Sequence, residues 1–295
     1  MLSTAGISPA GVHDSGSPSP TVATPDQERR HPAGAAALWE ESWYFDFATP
    51  EVGGFVRLGL FPNLSLAWYW GYLVRRGEPL VVARHHEAAL PRGEVLELRE
   101  DGLWAALYCE TPHEHWTAGL EAFAVALDDP DDALRGEWGE RVALGFDLEW
   151  EAAGPVVSTE AAGYAQPCLV SGEILVGAER LELAGPGHRR HRWGPSDWWG
   201  SGWLWAAASL DDGTAVHGRV GLGDADQQVA GARAGTTTMT LAGLELRATP
   251  RMVAPILLEG PGGRSSRLHR ALCHFSAGQG RSGYGWAEWN RPVRR

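Results

Sequence analysis

The sequence predicts an all-β protein built from antiparallel barrels or sandwiches, on three observations. From Leu38 onward apolar residues recur at every second position, the period of a strand with one buried face. Short runs of this kind are separated by Gly- and Asp-containing turns, as in barrels and sandwiches. The chain also holds 15 Trp against 7 Phe, and 38 Gly. Trp suits an interior only where its N–H finds a partner, and Gly belongs to turns and bulges, so a wide aromatic interior is expected.

Residues 1–33 are rich in Ser, Pro, Thr and Ala without periodicity and read as a disordered tail. WEESWYFDF (39–47) reads as the first strand, with Trp39, Glu41, Trp43, Phe45 and Phe47 on one face. If that face lines a cavity, burial among aromatics raises the Glu41 pKa, as a general acid requires. If the face is reversed, Glu40, Ser42, Tyr44 and Asp46 meet water and Glu41 only bonds a neighbouring backbone. LSLAWYWGYLV places Leu64, Leu66, Trp68, Trp70 and Tyr72 together. His85-His86 reads as a solvated loop. HEH at 113–115 puts two histidines on one strand face without a third ligand, so no metal is expected.

LEAFAVALDDPDDALR fits a helix or a strand followed by a short helical turn. RVALGFDLEWEA is a strand with Val142, Leu144, Phe146, Leu148 and Trp150 inward and Arg141, Asp147 and Glu149 outward. AAGPVVSTEAAG (152–163) reads as a boundary between two β units, 34–158 and 159–295. WLWAAASL and TAVHGRV are two strands joined by an Asp-Asp-Gly turn, a hairpin. Further strands fit GEILV, TMTLAGLELRA, RLHRALCHFSA and GYGWAEWN, while GPGGRSS lacks the Lys-Ser/Thr ending of a phosphate-binding loop and is a turn.

A net charge of -12 argues against nucleic acid as a partner, because neutralising phosphates needs a basic footprint. The three cysteines, Cys109, Cys168 and Cys273, are odd in number and scattered, which supports neither a disulfide framework nor a cysteine metal site. No apolar run is long enough for a transmembrane segment, and the start lacks a secretory pattern. The expected location is cytoplasmic; nothing in the sequence indicates an oligomeric state.

GHRRHRWGPSDWWGSGWLW (187–205) sets arginines and histidines before five tryptophans. His191 and Trp193 share a strand face, and a histidine shuttles protons near neutral pH while tryptophan faces attract a cation. The alternative is a polar turn with outward arginines and a histidine that satisfies a core hydrogen bond. In SGYGWAEWNRP, Tyr284, Trp286, Glu288 and Asn290 share a face, so Glu288 is a second candidate acid, or the partner of an arginine.

ESWYF (41–45), RRHRWGPSDW (189–198) and GYGWAEWN resemble, in this order, the motifs of the group that includes AttH-type proteins, tocopherol-cyclase-like proteins and carotenoid 1,2-hydratases. The resemblance implies two consecutive lipocalin-like β-barrel or sandwich units. It also implies cofactor-free hydration, cyclisation or isomerisation of an isoprenoid- or polyketide-like substrate, with catalytic His191 and Trp193. Arg190 stands where the motif has Asp and Ser196 where it has Arg, while Asp197 and Trp198 match. The candidate catalytic residues are therefore Glu41, His191, Glu288 and Asp197. The candidate substrate-binding residues are Trp43, Tyr44, Trp68, Trp70, Arg190, Trp193, Trp198, Tyr284 and Trp286. No cofactor is expected, and the partner is a hydrophobic small molecule. The alternative is a non-catalytic carrier or sensor of a lipid-like ligand, which the added cation at Arg190 suits if that ligand is acidic.

Overall fold

The computed structural model describes residues 23–136, 138–160, 162–222 and 235–293. Two antiparallel sheets hold almost all of them. The first takes β1 (Trp39–Ala48), β2 (Val52–Phe61), β3 (Leu66–Arg75), β4 (Leu80–Ala88), β5 (Glu97–Glu100), β6 (Leu103–Thr111), β7 (His115–Leu127), β8 (Glu140–Ala152), β9 (Val157–Glu160), β10 (Gly163–Val176) and β11 (Glu179–Pro195). The second takes β12 (Trp203–Leu210), β13 (Ala215–Gly221), β14 (Thr237–Leu241), β15 (Leu244–Val253), β16 (Ile256–Glu259), β17 (Ser265–Ala277) and β18 (Ser282–Pro292). The sheets divide between Pro195 and Trp203, while the expected boundary at 158/159 falls inside β9, which pairs with β10 in the first sheet.

In the first sheet the order β4-β3-β2-β1-β11-β10-β8-β7 returns on itself, because Leu80–Val82 of β4 pair with Val125–Leu127 of β7. Eight strands thus close a ring, a size whose interior is filled by side chains or holds one small ligand. The second sheet packs across the outside of β1–β4. Three apolar cores result: the ring interior (Trp43, Phe45, Leu58, Trp116, Trp150), the seam between the sheets (Tyr44, Phe55, Trp70, Trp205, Trp286), and the far face of the second sheet (Leu204, Phe275, Trp289). Trp150 and Trp286 bury their indoles because each N–H donates to a carbonyl of β1, Asp46 O at 2.8 Å and Phe47 O at 3.0 Å. Burial of each such aromatic contributes roughly 1.5–3 kcal/mol.

β1 is therefore sandwiched, and all ten of its residues are buried. The face holding Glu41 looks into the ring. The face holding Glu40, Ser42, Tyr44 and Asp46, open to water in one reading of the sequence, looks into the seam. His85 and His86 lie in β4 rather than in a solvated loop, and His86 accepts the Trp70 Nε1–H at 2.8 Å. The expected face-sharing of His113 and His115 is also corrected. His113 occupies a turn at φ 62°, and His115 opens β7 with its ring 3.2 Å from Glu149. LEAFAVAL is strand, followed by a short 3₁₀ turn at Pro130–Leu134.

Of the expected disordered tail, residues 1–22 lie outside the described residues. Residues 23–33 lie against the ring, with Glu28 buried among β10 and β11 side chains and His31 bonded to β1. Buried carboxylate–arginine bonding, invisible to local composition, fixes this stretch. Among the described residues no helix is long and apolar enough to cross a membrane.

Candidate functional site

Strand pairing explains how the inner cluster forms. β1 and β11 run antiparallel with Trp43 opposite His191 and Glu41 opposite Trp193. β10 lies on the other side of β11 with Tyr164 opposite His191. Side chains of opposite residues project to the same face, so Glu41, Trp43, Tyr164, His191 and Trp193 meet inside the ring, and Arg189 follows His191 by strand parity.

Glu41 Oε1 lies 2.9 Å from His191 Nε2 and 2.8 Å from His31 Nδ1, and both Glu41 oxygens accept the His31 backbone N–H at 3.0 Å. His191 Nδ1 is 3.3 Å from the Tyr164 hydroxyl, which donates to Glu28 at 2.5 Å. Arg189 grips both Glu28 oxygens, at 2.6 and 3.1 Å, and its Nε donates to Gln166 Oε1 at 2.8 Å. The result is a row of polar groups, His31–Glu41–His191–Tyr164–Glu28–Arg189, in which the Tyr164 proton lies on the Glu28 side and the His191 Nδ1 lone pair faces the Tyr164 oxygen. Trp43 stacks on His191 with ring centroids 4.5 Å apart, and Trp193 stacks on His31 at 3.7 Å.

Burial alone would raise the Glu41 pKa, but the hydrogen bonds from His191 and His31 outweigh it and hold the carboxyl below its usual value. Glu41 is therefore an ionised acceptor, not the protonated acid expected from its aromatic neighbours. Glu28 is likewise held low: burial opposes this, while the charge and hydrogen bonds of Arg189 prevail. Burial lowers the His191 pKa against the pull of Glu41, which keeps the imidazole neutral near pH 7.

Among the described residues, the donor atoms of His31, Glu41 and His191 all lie within 4.8 Å of one another, close enough to hold a metal ion. In the present geometry they satisfy each other by hydrogen bonding.

Beside the cluster, at the mouth of the ring, lies a cavity of about 880 Å³ whose walls include Glu28, Arg30, Trp43, Leu107, Cys109 and Trp116. Glu28 and Trp43 are the members of the inner cluster that reach it.

The remaining predicted residues do not converge here. Tyr44, Trp68, Trp70, Trp198 and Trp286 belong to the seam, with Tyr284 packed against it. Glu288 is buried in the seam and pairs with Arg270 at 2.6 Å, and Arg270 also donates to Tyr44 OH at 2.5 Å. Glu41 and Glu288 thus occupy opposite faces of β1 and cannot act on one substrate atom as an acid–base pair. Asp197 is exposed, faces Arg264 at 3.3 Å and accepts the Trp199 backbone N–H. Arg190 projects into the seam, opposite to His191, so an acid at that position would not touch the histidine; Glu41 and Tyr164 supply its partners instead. Sequence reasoning missed Glu28, His31, Tyr164 and Arg189. Arg189 was accessible through its shared parity with His191.

On the seam side of β1, Glu40 pairs with the buried Arg57 of β2 and accepts the Trp198 Nε1–H at 3.1 Å. Gly59 makes room for this pair: a Cβ there would stand 2.6 Å from Arg57 Nη1 and 3.0 Å from Glu40 Oε1. Gly59→Ala is expected to cost about 1–3 kcal/mol by overpacking, measured by urea denaturation; a cost below about 0.5 kcal/mol would show that the pair yields easily.

The family model described as a domain of unknown function, DUF7064, matches residues 24–232, a span that begins just before Glu28. No curated protein matches the chain. Among solved structures, an AttH protein from Nitrosomonas europaea aligns over 88% of this chain and 95% of its own, at 14% identity and a TM-score of 0.57. CghA aligns over 86% and 88% at 9% identity and a TM-score of 0.50. Kievitone hydratase from Nectria haematococca aligns over 86% and 89% at 10% identity and a TM-score of 0.49. The first two share the double β architecture at identities where fold alone is common. The chain belongs to the DUF7064 family, with an AttH-like fold.

Proposed function

We propose that this chain is an acid–base enzyme of the hydratase, cyclase or isomerase type, working without a cofactor on a hydrophobic, isoprenoid- or polyketide-like molecule at the ring mouth. The observation that carries this reading is the row of polar groups within hydrogen-bonding reach of one another, from the partly exposed His31 to Glu28 on the cavity wall. Glu28, ionised, accepts a proton from the ligand and, once protonated, returns it to another ligand atom. Between the two steps the Tyr164 hydroxyl turns from Glu28 to His191 Nδ1, His191 gives its Nε2 proton to Glu41, and Glu41 gives one to His31. The indole faces of Trp43 and Trp116 suit positive charge developing on the ligand, and the cavity holds the reacting atoms in place.

A second reading is a carrier without chemistry. It is favoured by the two-pronged Arg189 grip on Glu28, which occupies both carboxylate oxygens. Native mass spectrometry of protein from its own host identifies a retained ligand, whose turnover is then assayed. His191→Ala is expected to lower turnover by about 10²–10⁴-fold, the usual worth of a placed proton-transfer group, with ligand affinity changed less than about tenfold. Turnover unaffected by the substitution refutes the relay, and a ligand released unchanged by the wild type supports the carrier.

A further inference from the structure

The seam face of β1 carries a pocket of about 180 Å³, separate from the ring cavity, walled by Ser42, Arg57, Arg190, Arg192, Trp198 and Arg219 among others. We propose that it binds the phosphate group of a small phosphorylated molecule.

The decisive group is Arg57. Its side chain is 2% exposed. One nitrogen, Nη2, pairs with Glu40, while Nε and Nη1 are buried with no hydrogen-bond partner among the described residues. An unsatisfied buried donor is costly, and a guanidinium holds its donors in a fixed fork. The fork is locked here: the indoles of Trp70 and Trp198 lie 4.5 and 5.1 Å from its central carbon. Glu40 is no rival for these nitrogens, because its second oxygen accepts from Trp198.

Charge points the same way. Four guanidiniums border the pocket, those of Arg57, Arg190, Arg192 and Arg219, and Asp197, which faces Arg264, is also on its wall. Burial, followed by the charge of Arg190 and against the pull of Glu288, drives the Arg57 pKa well below its usual value. The three other arginines have protein contacts that orient them. Arg190 lies over Trp205 at 5.0 Å, Arg219 over Trp203 at 4.5 Å, and Arg192 donates to Pro195 O at 3.0 Å.

Shape selects phosphate over carboxylate. The arginines come from β2, β11 and β13 and so approach from different directions, which matches a tetrahedral dianion. A planar carboxylate engages one fork at a time. The Ser42 hydroxyl, opposite Arg192 in the strand register, adds a neutral donor at the wall.

The test is calorimetric titration of the full chain with inorganic phosphate, diphosphate and acetate at constant ionic strength. Saturable binding of phosphate or diphosphate at least tenfold tighter than acetate is the expected result. An Arg190→Gln/Arg192→Gln double variant is expected to weaken that binding at least tenfold with an unchanged circular dichroism spectrum. Arg219→Gln, at the exposed rim, is expected to weaken it about threefold and carries the same test should the double variant not fold. His191→Ala, on the other face of β1, is expected to bind phosphate as the wild type does, so that failure of the proton relay and failure of this site are read separately. No saturable phosphate binding, acetate binding of equal strength, or wild-type affinity in a folded arginine variant overturns the proposal.

Discussion

Glu28→Ala is expected to destabilise the fold by about 3–5 kcal/mol, the cost of leaving one partner of a buried ion pair uncompensated. Arg189 is 3% exposed in its side chain and gives two nitrogens to Glu28. The Tyr164 hydroxyl and the His113 backbone N–H donate to the same carboxylate, so one substitution orphans four donors at once. Urea denaturation near pH 7 measures the loss. A double variant, Glu28→Ala with Arg189→Met, is expected to recover a substantial part of it, because an apolar pair needs no counter-charge. A loss under about 1 kcal/mol for the single variant would mean that residues 23–33 are accessory to the ring.

That expectation concerns a stretch whose composition reads as a tail, and the reason is physical. Glu28 and His31 are held by partners 161 and 10 residues away. No local periodicity records such bonds, and residues 23–33, with two prolines and four charged side chains, offer no apolar run to mark where burial begins. Where one face is wet, the alternation is plain: β8 alternates buried and exposed from Phe146 to Trp150. Where both faces are buried, parity still pairs the right residues but cannot say what each face meets. Glu41 meets His31 and His191 inside the ring, whereas Glu288 of β18 meets Arg270 in the seam on the other side of β1. β2 went unread because Gly53, Gly54 and Gly59 break its apolar pattern; at Gly54 a Cβ would sit 2.5 Å from the Phe47 ring and 2.7 Å from Tyr72 O. Its Arg57, an isolated cation in an apolar run, was the sequence signal for the seam pocket.

Acidification from about pH 7.5 to about pH 5 is expected to remove roughly 4 kcal/mol of stability through two histidines alone. Burial, with the charges of Arg84 and Arg57, lowers the His86 pKa from 6.5 to about 3. Burial, with His188 and Arg190, lowers that of His217 from 6.5 to about 4. A group whose folded pKa is depressed contributes stability that is fully present above its unfolded value. That stability is lost as pH falls toward the folded value, because the unfolded chain binds the proton first. At about pH 5 the gap from 6.5 is about 1.5 units, or about 2 kcal/mol for each histidine. For His86 the structure supplies the cause: its Nε2 accepts from Trp70 at 2.8 Å, so protonating that nitrogen breaks the bond between a half-buried imidazole and a buried indole. Glu28 and Glu41, also depressed, act later, since their contribution starts to fall only below about pH 4.5. The double variant His86→Gln/His217→Gln separates the two phases, because glutamine keeps an acceptor for Trp70 and does not titrate. Its loss over the same interval is expected to be smaller than that of the wild type by roughly 4 kcal/mol, with the fall below pH 4.5 unchanged. Equal losses in the two proteins would show that these histidines are not buried in their neutral form.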